Sequence, residues 1–319
     1  MAELRLPAPP RRHLLSIADL ARDDVERVLD TGRSLAASLD REVKKLPTLR
    51  GRTVVNLFYE SSTRTLASFE LAAKRLSADT MSLRSAGSSV EKGESLKDTA
   101  LTLSAYEPDV IVVRHPSIGA PRLVAQLTDA HVVNAGDGKH QHPTQALVDL
   151  YTMREALGRL EGLQVAVVGD VLHSRVARSL VQALGLVGAR TVLVGPPTLV
   201  PRGIDAFGCE VSYEIETIAD ADVVYVLRMQ HERMADAFVP SLREYTALYG
   251  ITPERVRDGQ VVMHPGPMNR GVEIDPRVAD SDAALVTDQV RSGLVVRMAV
   301  LYDVFTVAPV AAREHAEVV

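Results

Sequence analysis

Residues 52–76 read RTVVNLFYESSTRTLASFELAAKRL, and this stretch decides the fold class. Its first part, Arg52–Tyr59, is short, rich in β-branched residues and bounded by Gly51 and Ser61, so it predicts a buried strand. The helical spacing that follows starts at Ser and Thr residues of the kind that cap helix N-termini. Strand, polar turn and helix in immediate succession suit a phosphate, because the helix's first N–H groups and its dipole both favour an anion.

The same α/β rhythm runs outward on both sides. Ser16–Leu39 predicts two helices, and after the central unit come a helix at Leu96–Ala105, a strand at Val110–Arg114 and a helix at Ala120–Leu127. An apolar stretch at His131–Asn134 leads into AGDGKHQHPTQ (135–145), where Gly and Pro predict irregular chain. Pro143–Leu157 is helical, with Pro in the first turn where its missing N–H costs nothing, and is long enough to bridge two lobes. Strands follow at Leu163–Val168, Thr191–Val194, Val223–Val226 and Val261–Met263, with a helix at Arg175–Leu186 and a last helix at Asp288–Phe305. Strands separated by helices imply parallel sheets with ligand sites outside their carboxyl ends. The expectation is an α/β fold of two doubly wound parallel-sheet lobes joined by a bridging helix, with the C-terminal helix packing back on the first lobe. The corresponding boundaries are 1–144, 145–290 and 291–319.

Composition agrees with two lobes, since 319 residues exceed the roughly 150 usual for one domain. Hydrophobic residues at 46% and charged residues at 24% exclude disordered and collagen-like classes. A net charge of -5 argues against a general nucleic-acid binder, and an aromatic content of 4% without Trp removes stacking platforms for single strands. The single cysteine, Cys209, forms no intrachain disulfide and fits a reducing compartment. The first fifteen residues, with Glu3 and three prolines, show no apolar run of signal-peptide length, and no stretch reaches the ~18 apolar residues of a membrane helix. A cytoplasmic enzyme is expected, without nucleic-acid or membrane partners.

Three short motifs carry chemistry. In Ser61-Ser62-Thr63-Arg64-Thr65, hydroxyls, N–H groups and a planar guanidinium suit an anion; a merely capped helix with a solvated arginine reads equally well. Arg114-His115-Pro116 directly follows a strand, and His142-Pro143-Thr144-Gln145 places an imidazole and an amide at the mouth of the bridging helix. His140 and His142 lack a carboxylate or thiolate cluster of ligand spacing, so no metal is expected, and a neutral imidazole donating to a carbonyl is the better reading.

Taken together, S-T-R-T, R-H-P, H-P-T-Q and the later His264-Pro265-Gly266-Pro267 occur in the order and spacing of the aspartate/ornithine carbamoyltransferase family, which the chain resembles over nearly its whole length. The resemblance implies that Ser62, Thr63, Arg64 and Thr65 cradle the phosphate of carbamoyl phosphate. It directs Thr65, Arg114 and His142 at the carbamoyl oxygen, with Gln145 as a further contact, making Arg64, Thr65, Arg114 and His142 the catalytic set. Donors aimed at an oxygen that becomes anionic are the largest catalytic contribution such a site can make. Gly266 and Pro267 would meet the carbamoyl amine through backbone carbonyls; relatives carry leucine or alanine at Gly266, and a backbone contact survives that difference. Ser88 and Lys92, in SSVEKGE (88–94), match a loop that in the family reaches a neighbouring subunit's site, Ser88 toward phosphate and Lys92 toward both substrates. Some relatives have a basic residue where Glu91 stands. Arg175, Arg228 and Gln230 match residues that grip the carboxylates of L-aspartate, with Arg233 in support, while Arg178 reads as surface charge and His264 as a packing residue. No cofactor is implied, and a homotrimer with shared sites is, with room for regulatory or dihydroorotase-like chains.

The ornithine branch of the family characteristically has cysteine in the counterparts of H-P-G-P and often H-P-T-Q, plus a Ser-Met-Gly stretch. Here Pro265 and Thr144 hold those places and no Ser-Met-Gly occurs, so aspartate is preferred. VAVVGDVLHS (165–174) opens a βα unit but lacks the G-x-G-x-x-G turn of a dinucleotide-binding oxidoreductase. A non-catalytic assembly scaffold is disfavoured by the complete set of Arg64, Lys92, Arg114, His142, Arg175 and Arg228.

Overall fold

A computed structural model describes residues 13–85, 93–230 and 238–306. Ser88, Glu91, Lys92 and Arg233 therefore lie outside the described residues. The expected helix pair at the start is one 3-10 turn, Ile17–Asp19, and one α-helix, α1 (Arg22–Ala36). The break falls at extended Ala21, whose N–H donates to the Asp24 carboxylate at 2.9 Å, so the helix has a fixed start.

The first sheet follows as β1 (Thr53–Phe58), α2 (Thr63–Arg75), β2 (Asp79–Arg84), α3 (Leu96–Ser104), β3 (Val110–His115), α4 (Ala120–Leu127) and β4 (His131–Asp137). All its pairings are parallel, in the order β2-β1-β3-β4. Helix α5 (Pro143–Leu157) then leads to the second sheet: β5 (Gln164–Val168), α6 (Arg175–Leu186), β6 (Arg190–Val194), β7 (Glu210–Ser212), β8 (Val223–Val226), α7 (Leu242–Tyr249), β9 (Val261–Met263) and α8 (Pro276–Ala279). Its order is β7-β6-β5-β8-β9, again parallel throughout. Strand order therefore reverses between β1 and β3 in one sheet and between β5 and β8 in the other, and at such switch points a crevice opens beyond the carboxyl ends.

Helix α9 (Val286–Thr306) returns to pack on α1 and α2 of the first lobe as well as on α5. Both α5 and α9 are buried around most of their circumference, as befits helices enclosed on all sides. A single apolar cluster runs through them, from Leu14, Val54 and Phe69 by way of Leu147, Leu150 and Met153 to Val165, Leu184, Tyr225 and Val304. Among the described residues no helix is long and apolar enough to cross a membrane.

Candidate functional site

The anion-suited turn is built as its residue types require. Ser62 is the N-cap of α2 in extended conformation, yet its side chain makes no capping hydrogen bond, so the hydroxyl is not spent on the helix. Thr65 is buried at 5% exposure, whereas Thr63 and Arg64 face solvent. Arg64 makes no ion pair among the described residues; partial burial, then the nearby charge of Arg228, hold its pKa below the usual arginine value. A partly buried guanidinium held beside a second cation suits an anion. Gly266 lies against the same guanidinium: at φ +62°, a β-carbon there would run into Arg64. A side chain there would be strained by the left-handed conformation and would have to displace the flexible end of Arg64.

Arg114 stands at the end of β3, where the register with β4 shifts between Val113 and His115; such irregularities re-aim side chains beside sites. One of its amino groups donates to the Ala135 carbonyl at 3.1 Å, and its Nε lies 3.6 Å from Glu60. Arg175, the first residue of α6 in the second lobe, donates to both oxygens of the same carboxylate, at 2.8 and 2.6 Å. Gly136, φ +120°, makes room for both, since a β-carbon there would sit 2.7 Å from Arg175 and 3.3 Å from Arg114. Glu60 is thus the carboxylate that joins the lobes across the cleft. Nothing in the sequence marked it: a single Glu between a strand and S-S-T-R-T has no periodic or motif signature.

His142 is the N-cap residue of α5, 4% exposed, and its Nδ1 has no hydrogen-bond partner among the described residues. Burial, followed by the charges of Arg114, Arg297 and Arg175, keeps its pKa well below the ordinary histidine value, so the ring is neutral. A neutral imidazole can donate from one nitrogen to an oxygen without adding a further charge. Gln145, half-buried one turn into α5, donates its amide to Asp149 at 2.9 Å.

In the second lobe, Arg228 and Gln230 follow β8 and are both half-buried. The Gln230 N–H donates to Asp170 at 3.3 Å, and the other oxygen of that carboxylate accepts from the His173 N–H at 3.1 Å, so Asp170 ties the post-β8 chain to the post-β5 turn. Beyond β9, the His264 Nδ1 accepts the Gly266 N–H at 2.8 Å, which places the ring proton on Nε2, 3.3 Å from buried Glu273. His264 shapes the loop that carries Gly266 and Pro267. Arg178 corrects an expectation: it is half-buried rather than surface charge, and its guanidinium donates to the Lys139 carbonyl in the loop before His142.

The structure therefore brings Ser62, Thr63, Arg64, Thr65, Arg114, His142 and Gln145 to the carboxyl end of the first sheet. Arg175, Arg228, Gln230, Gly266 and Pro267 stand at that of the second. Contacts from Glu60 to Arg175 and from Arg64 to Gly266 link the two sets. Such a cleft gathers cationic donors suited to two anions.

Comparison with known proteins gives the same picture over the whole length. The carbamoyl-P binding domain of aspartate/ornithine carbamoyltransferase matches residues 12–155, and the Asp/Orn binding domain of the same family matches residues 161–304. The aspartate carbamoyltransferase catalytic subunit of Thermobifida fusca is 58% identical over 295 residues, 91% of this chain and 94% of its own. That of Salinispora arenicola is 59% identical over 298 residues, 91% and 97% of the two chains. Among solved structures, aspartate transcarbamoylase from Trypanosoma cruzi with N-(phosphonacetyl)-L-aspartic acid superposes with a TM-score of 0.84 at 30% identity, covering 93% of this chain and 97% of that one. The catalytic subunit from M. jannaschii gives 0.81 at 38% identity, covering 92% and 97%. Motif order, sheet topology and both family matches agree, and the chain belongs to the aspartate/ornithine carbamoyltransferase family.

Proposed function

We propose that the chain is an aspartate carbamoyltransferase, transferring the carbamoyl group of carbamoyl phosphate to the amine of L-aspartate in pyrimidine biosynthesis. The observation that carries this reading is Arg64: a guanidinium at an uncapped helix N-terminus, without a carboxylate partner among the described residues and beside a second cation, Arg228. The names of the relatives and the ligands of their solved structures, carbamoyl phosphate and aspartate among them, support the choice of substrates.

In this reading Ser62, Thr63, Arg64 and Thr65, with Ser88, hold the phosphate. Thr65, Arg114 and neutral His142 donate to the carbamoyl oxygen; Gln145, Gly266 and Pro267 accept from its amine. Arg175, Arg228, Gln230 and Lys92 hold aspartate. The deprotonated amine attacks the carbamoyl carbon, its N–C bond forms, and the tetrahedral oxyanion is stabilised by donors already in place. The C–O bond to phosphate then breaks, and the departing phosphate takes the amine proton. Closure of the second lobe after carbamoyl phosphate has bound orients the amine and excludes water. The functional boundaries are 1–144 for carbamoyl phosphate, 145–290 for aspartate and 291–319 for the returning helix. The working unit is a cytoplasmic homotrimer with shared sites, open to regulatory or dihydroorotase-like chains.

Incubating the purified protein with carbamoyl phosphate and either aspartate or ornithine, and assaying the ureido product, tests the reaction. Product is expected with aspartate, and product with ornithine alone overturns the substrate. For the shared site, an inactive Lys92→Ala chain mixed with an inactive Arg228→Ala chain is expected to regain activity. No recovery in verified mixed trimers contradicts it.

A further inference from the structure

At the junction of the lobes, a chain of hydrogen bonds fixes which end of the Gln145 amide is available to a ligand. It starts from a donor that cannot be reversed: the backbone N–H of His264 donates to Gln289 Oε1 at 2.9 Å. Gln289 must then turn its Nε2 the other way, where it donates to Asp149 Oδ1 at 2.8 Å. That oxygen is an acceptor, so the Gln145 group 2.9 Å from it is the amide nitrogen. The Gln145 oxygen is left as the end that Asp149 does not hold, on a half-buried side chain in the first turn of α5.

The remaining oxygen of Asp149 accepts from the Tyr225 hydroxyl of β8 at 2.7 Å. Asp149 is wholly buried, with Arg297 of α9 as the charge acting on it, and burial pushes its carboxyl up to about 7. A proton there sits toward Tyr225, since the other oxygen already accepts twice, and the orientation of Gln145 is the same in both protonation states. One carboxylate thus gathers α5, β8 and α9.

We propose that Asp149 is a positioning residue that holds the Gln145 oxygen toward the cleft, making the site selective for a ligand bearing an N–H2 group beside its phosphate over phosphate alone. The inference rests on the reading of the site given above, in which carbamoyl phosphate is the ligand. A free amide would present nitrogen or oxygen at random, and a nitrogen facing the carbamoyl amine would oppose donor to donor.

Calorimetric titration with carbamoyl phosphate and, separately, inorganic phosphate tests it. The wild-type chain is expected to prefer carbamoyl phosphate; failure to bind it would overturn the reading of the site itself, independently of Asp149. In Asp149→Leu, which fills the space without an acceptor, the preference for carbamoyl phosphate over phosphate is expected to fall about tenfold while phosphate affinity stays within about twofold. Asp149→Ala is read in the same way if the leucine variant does not fold. Asp149→Asn keeps one oxygen for both amides and turns its own nitrogen to the Tyr225 oxygen, so it is expected to retain the preference. Equal weakening of both ligands in the leucine or alanine variant, an unchanged preference there, or loss of preference in the asparagine variant overturns the proposal.

Discussion

Helices α2 and α6 occupy equivalent places in the two lobes, each leaving the first strand of its sheet, and each presents an arginine at its N-terminus. Their terminal chemistry is opposite. In α6 the Ser174 hydroxyl accepts the Ala177 N–H at 3.1 Å, and Arg175 is buried and doubly hydrogen-bonded to Glu60. In α2 the Ser62 hydroxyl makes no cap bond, and Arg64 has no ion pair among the described residues. A helix whose own residues satisfy its first turn is structural at that end, whereas one left unsatisfied keeps its N–H groups for a ligand. The difference separates an open terminus from one already occupied. The first lobe leaves its helix terminus open to an anion, while the second lobe's arginine is already engaged by a protein carboxylate.

The contrast can be broken at either helix. Arg64→Ala should lower kcat/KM for carbamoyl phosphate about 10³-fold by losing charge-assisted contacts to a group whose charge the transition state retains. The fold should be untouched, because the side chain is exposed. Steady-state kinetics with circular dichroism on the same sample checks both, and a near-wild-type rate would end the assignment. Glu60→Ala should instead act on stability, leaving Arg175 buried at 4% side-chain exposure without its main partner. A loss of about 3 kcal/mol in urea unfolding is expected; a variant as stable as the parent would show that Arg175 has other means of neutralisation.

The smallest effect concerns three histidines, half-buried His115 and buried His142 in the first lobe and buried His264 in the second, whose pKa values burial lowers. Unfolding raises them toward ~6.5, so the unfolded chain binds more protons below that pH and their contribution to stability, complete above it, is lost on acidification. Asp149 acts in the opposite sense, because its carboxyl is raised to about 7 and its native form gains a proton first. With three histidines against one carboxyl, the urea midpoint should drop modestly between pH 7.5 and 5.5. A midpoint that rises on acidification would mean that the carboxyl outweighs the rings.

Elements with a strong apolar pattern were legible from the sequence. The expected helices Ala120–Leu127, Pro143–Leu157 and Arg175–Leu186 and the strands Val223–Val226 and Val261–Met263 have the observed bounds. Strand β2 was not foreseen, because it is an edge strand with Asp79, Met81, Ser82 and Arg84 exposed and so shows no two-residue alternation. Helix α7 buries only Tyr245 and Tyr249, α8 spans a single turn, and β7 buries none of its residues, so none shows an apolar pattern. At the site, residues within motifs could be named in advance. Their partners Glu60, Asp170 and Asp149 could not, since each is a single carboxylate whose meaning arises only when distant segments meet: Tyr225 lies 76 positions beyond Asp149 and Gln289 lies 140.

The apolar cluster threaded through α5 and α9 has a consequence for how the molecule comes apart. Leu150, Met153, Val296 and Val300 belong to the same buried body as residues of both sheets, so one face of each lobe's interior is shared, although each sheet also has a smaller apolar cluster of its own. A fragment cut after Gly158 would leave α5 without the closing face that α9 supplies. The two lobes are therefore expected to melt together, and a single calorimetric transition checks it; two separate transitions would show that each sheet folds on its own.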